Sequence, residues 1–258
     1  MENWFYARFL LVVTGIGEEK FLPDLFSQLT ASNICRFDVL ERIGQLNPIT
    51  SVSRRLKIVG TNRSASTRED DLGLRIRGRL ALDTHAYVLI VDDLEHERRP
   101  QCDAVYSRYR DILDRFLDES DRTRASVHFL VNMLESYYFA HPDAVTTALN
   151  LVRPFPGESG DVEEIRNPKS NLRQILNSSY KRSFDEVSDG KRIVNHLRLE
   201  IILGDAQTCA ALRTLVAWCV EKLESHPQYT ALNWSKLFHL ESGVLFSPTR
   251  KQLRSRSE

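Results

Sequence analysis

The chain has 258 residues, 42% of them hydrophobic, which is enough for one sizeable core or two small domains. Its 35 Lys plus Arg equal its 35 Asp plus Glu, so there is no global basic signature of nucleic-acid binding. The four cysteines, Cys35, Cys102, Cys209 and Cys219, lack any paired metal-binding spacing, which excludes a zinc ribbon or finger and fits reduced thiols.

The opening apolar run, bracketed by Glu2 and Arg8, is too short for a secretory or membrane-spanning segment, so a soluble cytoplasmic protein is expected. Residues 9–13, Phe-Leu-Leu-Val-Val, read as a buried strand. A turn, Thr14-Gly15-Ile16-Gly17, follows, and then a helix over residues 18–29 with an apolar face of Phe21, Leu22, Leu25, Phe26 and Leu29. Glu18 and Glu19 fall in its first turn, where acids favour the helix dipole. The turn has neither the glycine spacing of a dinucleotide fold nor the lysine and hydroxyl of a phosphate loop.

A second strand is expected at residues 34–40, then a polar connection containing Asn47-Pro48 and a helix over residues 68–82. The stretch from Arg54 to Arg79 is locally basic. Arg54, Arg55 and Lys57 could track a phosphate backbone, and a solvated loop and helix face is the competing reading. Residues 87–91, Tyr-Val-Leu-Ile-Val, form an apolar run without alternation, as suits a parallel strand covered on both faces. It ends abruptly in Asp92, Asp93 and Glu95. Ligands gather at the carboxyl ends of such strands, and hard cations bind oxygen, so this lip is a candidate magnesium site. Capping of the next helix, near Asp103, is the alternative use of these acids.

A helix over residues 102–117 carries Val105, Tyr109, Ile112, Leu113 and Phe116 on one stripe, and residues 127–134 complete the core pattern as a strand. Glu135 follows as a single acid in an apolar and aromatic stretch, where it needs a cation or an ion pair. Strands alternating with helices imply a mostly parallel α/β sheet over residues 1–140.

After Ala140 the character is helical. His141-Pro142-Asp143 starts a helix, residues 154–160 are turn-rich, Asn167-Pro168-Lys169-Ser170 starts another helix, and Ser188-Asp189-Gly190 reads as an interruption. A strongly apolar helix spans residues 206–223, with Leu212, Leu215, Val216 and Cys219 facing a core. Residues 141–246 are thus expected as a helical extension packed on the first part, and residues 247–258 as a fraying tail.

Taken in order, Val13-Thr14-Gly15-Ile16-Gly17-Glu18-Glu19, Asp92-Asp93-Leu94-Glu95 and Asn132-Met133-Leu134-Glu135-Ser136-Tyr137-Tyr138 resemble the small TOPRIM-like family known as domain-of-unknown-function family 4276. The likeness continues through Asn167-Pro168-Lys169, Tyr180-Lys181-Arg182, Asp189-Gly190-Lys191 and the segment from Cys209 to Cys219. It implies a TOPRIM-like fold with an acidic centre for magnesium or manganese, as in overcoming-lysogenization-defect-type nucleases. It further implies an ABC- or SMC-type ATPase partner and a role in defence against phage. Carried over where residues match, Glu18, Asp93, Glu95 and Glu135 would be catalytic and would hold the metal, with Asp92 a near-equal ligand. Two departures stand out. Thr14 occupies the place of the usual strand-end glutamate, and Asp93-Leu94-Glu95 replaces Asp-x-Asp.

The leading expectation is therefore a metal-dependent phosphodiesterase acting on nucleic acid. A catalytically degenerate adaptor or regulatory subunit of the ATPase complex is the alternative, supported by Thr14. A serine or cysteine hydrolase ranks third: His85, His96, His128 and His196 have no nucleophile elbow beside them, although His96 follows the acidic lip and could contact a phosphate.

Overall fold

The computed structural model describes residues 6–46, 67–224, 229 and 232–253. Four strands, β1 (Ala7–Val13), β2 (Cys35–Arg42), β3 (Ala86–Leu94) and β4 (Ala125–Val131), form one sheet in the order β2-β1-β3-β4. Every pairing is parallel, with one irregularity opposite Leu11 and Val12 in the β1–β2 ladder. Parallel neighbours require crossovers, and the helices supply them. Among the described residues the helices of seven residues or more are α1 (Ile16–Leu25), α2 (Thr67–Leu82), α3 (Cys102–Phe116), α4 (Pro142–Ala148), α5 (Pro168–Tyr180), α6 (Ser188–Val194) and α7 (Ala210–Leu223). The α/β class with a parallel sheet flanked by helices is as the residue pattern predicts. No helix among the described residues is long and apolar enough to cross a membrane.

β1, β3 and β4 lack alternation because both of their faces are covered, whereas β2, at the edge, leaves Arg36 and Arg42 exposed. On one face Phe9, Leu11, Val13, Leu89, Val91 and Leu130 share a core with α1 and with the helical second half through Leu172, Leu212, Leu215, Val216 and Trp218. On the other, Leu10, Val12, Val88, Ile90, Val127 and Phe129 pack against Leu72, Ile76 and Leu80 of α2 and Val105, Tyr109, Ile112 and Leu113 of α3. The chain leaves β1 to one side for β2 and returns on the other side for β3. The carboxyl ends of β1 and β3 therefore flank the topological switch point.

Several boundaries differ from the sequence reading. The helix expected over residues 18–29 starts at Ile16 and stops at Leu25, with a separate turn at Ser27–Thr30, because Phe26 leaves helical geometry at φ −90° and ψ 16° and its N–H bonds the Pro23 carbonyl three residues back at 3.2 Å. The last strand ends at Val131 and not at Leu134, since Asn132 and Met133 adopt left-handed φ of 58° and 77° and swing the chain out of the sheet. Ser188-Asp189-Gly190 opens α6 where an interruption was expected. Gly190 lets that helix approach α1, and a Cβ there would lie 3.3 Å from the Phe21 ring. The helix expected from residue 206 begins at Ala210, after the left-handed Cys209. In the expected tail, Ser247–Arg250 form a helical turn with Pro248 and Thr249 buried, and Leu253 is buried too.

Candidate acidic site

Strand geometry sorts the acids at the end of β3. Successive side chains point to opposite faces, so Asp93 continues the Leu89 and Val91 row while Asp92 continues the Val88 and Ile90 row. Asp92 thereby faces α3. Its Oδ1 accepts from Arg98 at 2.7 Å, and its Oδ2 accepts from Arg98 at 3.1 Å and from the Tyr109 hydroxyl at 2.7 Å. Burial raises its pKa against the opposing pull of Arg98 and Tyr109. Of the acids expected to hold a metal, Asp92 is thus the one engaged on the far face.

Asp93 meets Glu18 and Glu135 instead. All three carboxylate side chains are buried, with residue exposures of 5%, 3% and 7%. They arrive from β3, from the first turn of α1 and from the turn after β4, near enough for Glu18 and Glu135 each to repel Asp93. The Asp93 N–H donates to Thr14 Oγ1 at 3.0 Å, tying the ends of β1 and β3 together. Asp93 Oδ1 is buried without a hydrogen-bond partner. Glu18 folds back over the turn, and a Cβ on Gly15 would sit 1.8 Å from Glu18 Oε2. Gly15 is needed there for space.

Electrostatics show the strain of gathering these acids. Burial lifts the Glu18 pKa to about 7, opposed by its own backbone amide and that of Leu134 and reinforced by Glu135. Burial also lifts Asp93 well above the usual carboxylate range, and Glu18, Asp92, Glu135 and Glu95 add to it by repulsion. Glu135 is raised by burial, with Lys169 pulling the other way. Lys169 Nζ lies 3.7 Å from Glu135 and 2.5 Å from Glu186. One ammonium therefore pairs with two carboxylates and also pulls on Glu18, while every charged neighbour that shifts Asp93 is another acid.

Glu95 is exposed and lines a groove of about 280 Å³ beside this centre, with His96, Asn132, Met133, Arg166, Lys169 and Ser170 among its other walls. Glu19, the second acid of the first turn, lies away from the centre in an exposed pair with Arg42 at 2.7 Å. Arg54, Arg55 and Lys57 lie outside the described residues. Of the histidines, His128 is fully buried against Ser126 Oγ at 3.0 Å, and burial lowers its pKa to about 3, so it is a neutral core residue. His196 Nδ1 is 2.8 Å from the Arg192 carbonyl, and only His96 borders the groove.

The donors at the centre are all carboxylate oxygens, which suits a hard cation such as magnesium or manganese. The unpartnered Asp93 Oδ1 and the mutual repulsion with Glu18 are what a bound cation would relieve, so the residues fit such an ion. Among the described residues no group of three or more His, Cys, Asp or Glu side chains stands in ligating geometry.

Two contributors carried no assigned role in the sequence reading. Lys169 is visible in hindsight as the cation of Asn167-Pro168-Lys169, and Arg98 as the arginine six residues after Asp92. Comparison with family models, with curated proteins and with solved structures returns no match.

Proposed function

We propose that this chain is a metal-dependent phosphodiesterase of the TOPRIM type that cleaves nucleic acid, working in antiviral defence with an ABC- or SMC-type ATPase. The observation that supports it best is that buried Asp93, beside the switch point, is repelled by buried Glu18 and Glu135 and has an Oδ1 without a hydrogen-bond partner. Magnesium or manganese bound there would polarise a phosphate and lower the pKa of a bound water. Asp93 would hold the ion from the end of β3 and Glu18 from the first turn of α1. Glu135 would complete the set, oriented by Lys169, and exposed Glu95 would reach in from the groove. Asp92 keeps the strand end in place through Arg98, which also donates to the Asp93 carbonyl at 3.0 Å.

The test is calorimetric titration with magnesium and manganese of the parent chain and of Asp93→Ala and Glu95→Ala variants of verified fold, followed by cleavage assays on DNA and RNA with and without ATPases. Binding that needs Asp93, together with cleavage that vanishes in the Asp93→Ala, Glu95→Ala double variant, is expected. Cleavage that persists in the double variant sinks the mechanism.

A catalytically degenerate adaptor is the second reading, and one observation favours it. Thr14, at the usual glutamate position, uses its hydroxyl as a structural acceptor for the Asp93 amide. On that reading the acids bind no metal at millimolar concentration and the chain changes the activity of its ATPase partner.

A further inference from the structure

Glu135 reaches the acidic centre on a turn that needs outside support. Asn132 and Met133 take consecutive left-handed conformations, φ 58° and 77°, which persist only where the surroundings enforce them. Glu135 also repels Asp93, so the charges of the centre push the turn away from β3. The Asn132 N–H ends the sheet ladder on the Leu94 carbonyl at 3.0 Å. Beyond it the backbone bonds are local, from Ser136 to Met133 and from Tyr137 to Leu134, both at 3.2 Å.

Glu163 supplies the support from the short turn Val162–Glu164. It is 2% exposed and engages the 132–137 turn on both flanks of Glu135. Its carbonyl accepts from Asn132 Nδ2 at 2.8 Å, and its Oε1 accepts from the Tyr137 hydroxyl at 2.9 Å. The same carboxylate accepts two first-turn amides of α7, from Leu212 on Oε1 at 3.1 Å and from Ala211 on Oε2 at 3.0 Å. Asp161 Oδ1 braces it, accepting from the N–H groups of Glu163 and Cys209, both at 3.0 Å. Capping α7 alone calls for a small polar side chain at its N-cap, where Cys209 stands. A buried carboxylate is a costly substitute, and burial raises the Glu163 pKa to about 7. What Glu163 adds over a local cap is the pair of bonds to the turn that carries Glu135. Arg99, on the segment after Glu95, donates to the same carbonyl at 3.3 Å and to the Glu164 carboxylate at 2.8 and 2.5 Å, so the exits of β3 and β4 share one anchor.

We infer that Glu163 is a positioning residue of the acidic centre: it fastens both flanks of the 132–137 turn to the start of α7 and so holds Glu135 beside Asp93. It touches no metal ligand side chain and acts through the backbone of the turn. The inference rests on the metal-dependent reading proposed above, in which Glu135 completes the ligand set.

Calorimetric titration of the full chain with magnesium and manganese at constant pH tests it. In Glu163→Gln the side-chain NH2 must face an α7 amide, so residue 163 shifts and its carbonyl leaves Asn132. Affinity is expected to fall by about tenfold, as when a residue supporting a ligand is lost. Tyr137→Phe deletes one tether and no bulk, and should weaken binding in the same direction by a smaller factor; it carries the comparison if Glu163→Gln does not fold. In a Glu135→Gln background Glu163→Gln should add less than about twofold, because the carboxylate that it holds is gone, whereas in a Glu18→Gln background the full loss should persist. Gln252→Ala, which weakens β4 away from the turn, should bind as the parent does. Parent-like affinity in both Glu163→Gln and Tyr137→Phe, an undiminished loss in the Glu135→Gln background, or an equal loss in Gln252→Ala would overturn the inference and leave the metal site standing. A parent chain that binds neither ion overturns the metal-dependent reading and this assignment with it.

Discussion

Gly15 and Glu18 show how narrowly the candidate site is built at the level of single residues. Gly15 has φ of −105°, open to any side chain, so an alanine there costs little backbone strain; its methyl group would instead collide with Glu18 Oε2. Gly15→Ala is expected to keep the fold, turn Glu18 towards solvent and weaken magnesium binding by about tenfold, as loss of one ligand would. A parent-like affinity in calorimetry would show that Glu18 is no ligand. The titration of Glu18 sets the pH dependence. Its folded pKa of about 7 lies above its ordinary 4.5, so the folded chain holds the extra proton and the associated stability is complete below 4.5 and lost as pH rises through about 7. A metal ion must displace that proton. Apparent affinity should therefore climb with pH up to about 7, with proton release on binding, and level off above. A flat profile over that range in calorimetry with buffers of differing ionisation heat would contradict the assignment. At this scale the acids themselves were legible as a strand-end cluster. The difference between Asp92 and Asp93 was not assigned, because it depends on which face each helix covers.

Among the elements, β4 shows how an edge strand is managed. Its outer side would present unpaired backbone groups, which invite pairing with another chain. Gln252 covers part of that side by side-chain mimicry of a strand, accepting from the Val127 N–H at 2.9 Å and donating to the Val127 carbonyl at 2.7 Å. Gln252→Ala should cost about 1–2 kcal/mol, from two modest hydrogen bonds, and speed amide exchange at Val127 selectively. Unchanged protection at Val127 would mean that Gln252 only decorates the edge. The contact explains why residues 247–253, in a polar stretch expected to fray, pack against the sheet: Pro, Ser, Lys and Arg carry no apolar period, and the bonds that hold them are to a strand more than a hundred residues away. By contrast, the elements with strong local signals, β1, β3 and the Val105, Tyr109, Ile112 and Leu113 stripe of α3, were legible at once, since burial on one or both faces imposes its period directly on the residues.

At the scale of the whole molecule, the sheet and the helical second half share one core, and a single buried arginine organises the far side of that half. Arg213 of α7 is fully buried and its guanidinium donates to the carbonyls of Leu203 at 3.1 Å, Asp205 at 2.6 Å, Thr208 at 3.0 Å and Phe238. Gly243 packs against its stem, where a Cβ would come within 2.6 Å of Arg213 Cδ. Arg213→Met keeps the bulk but leaves four carbonyls without this donor, so a loss of about 3–5 kcal/mol is expected in chemical denaturation. Amide exchange should rise first around residues 203–208 and 238–243 while β1 and β3 stay protected. A loss below about 1 kcal/mol would show that water replaces the guanidinium.

What the sequence by itself determined is the alternation of buried strands and helices, the parallel class of the sheet and the presence of acids at the end of its third strand. These follow from hydrophobic period and from the short range of turn and capping preferences, which are properties of neighbouring residues. Tertiary structure decided that Glu18, Asp93 and Glu135 are the acids brought together, that Asp92 is engaged by Arg98 and Tyr109, and that Lys169 stands beside Glu135. Those choices depend on strand order and on the side of the sheet each crossover takes. Both are set by the packing of segments far apart in the chain, and no local pattern encodes them.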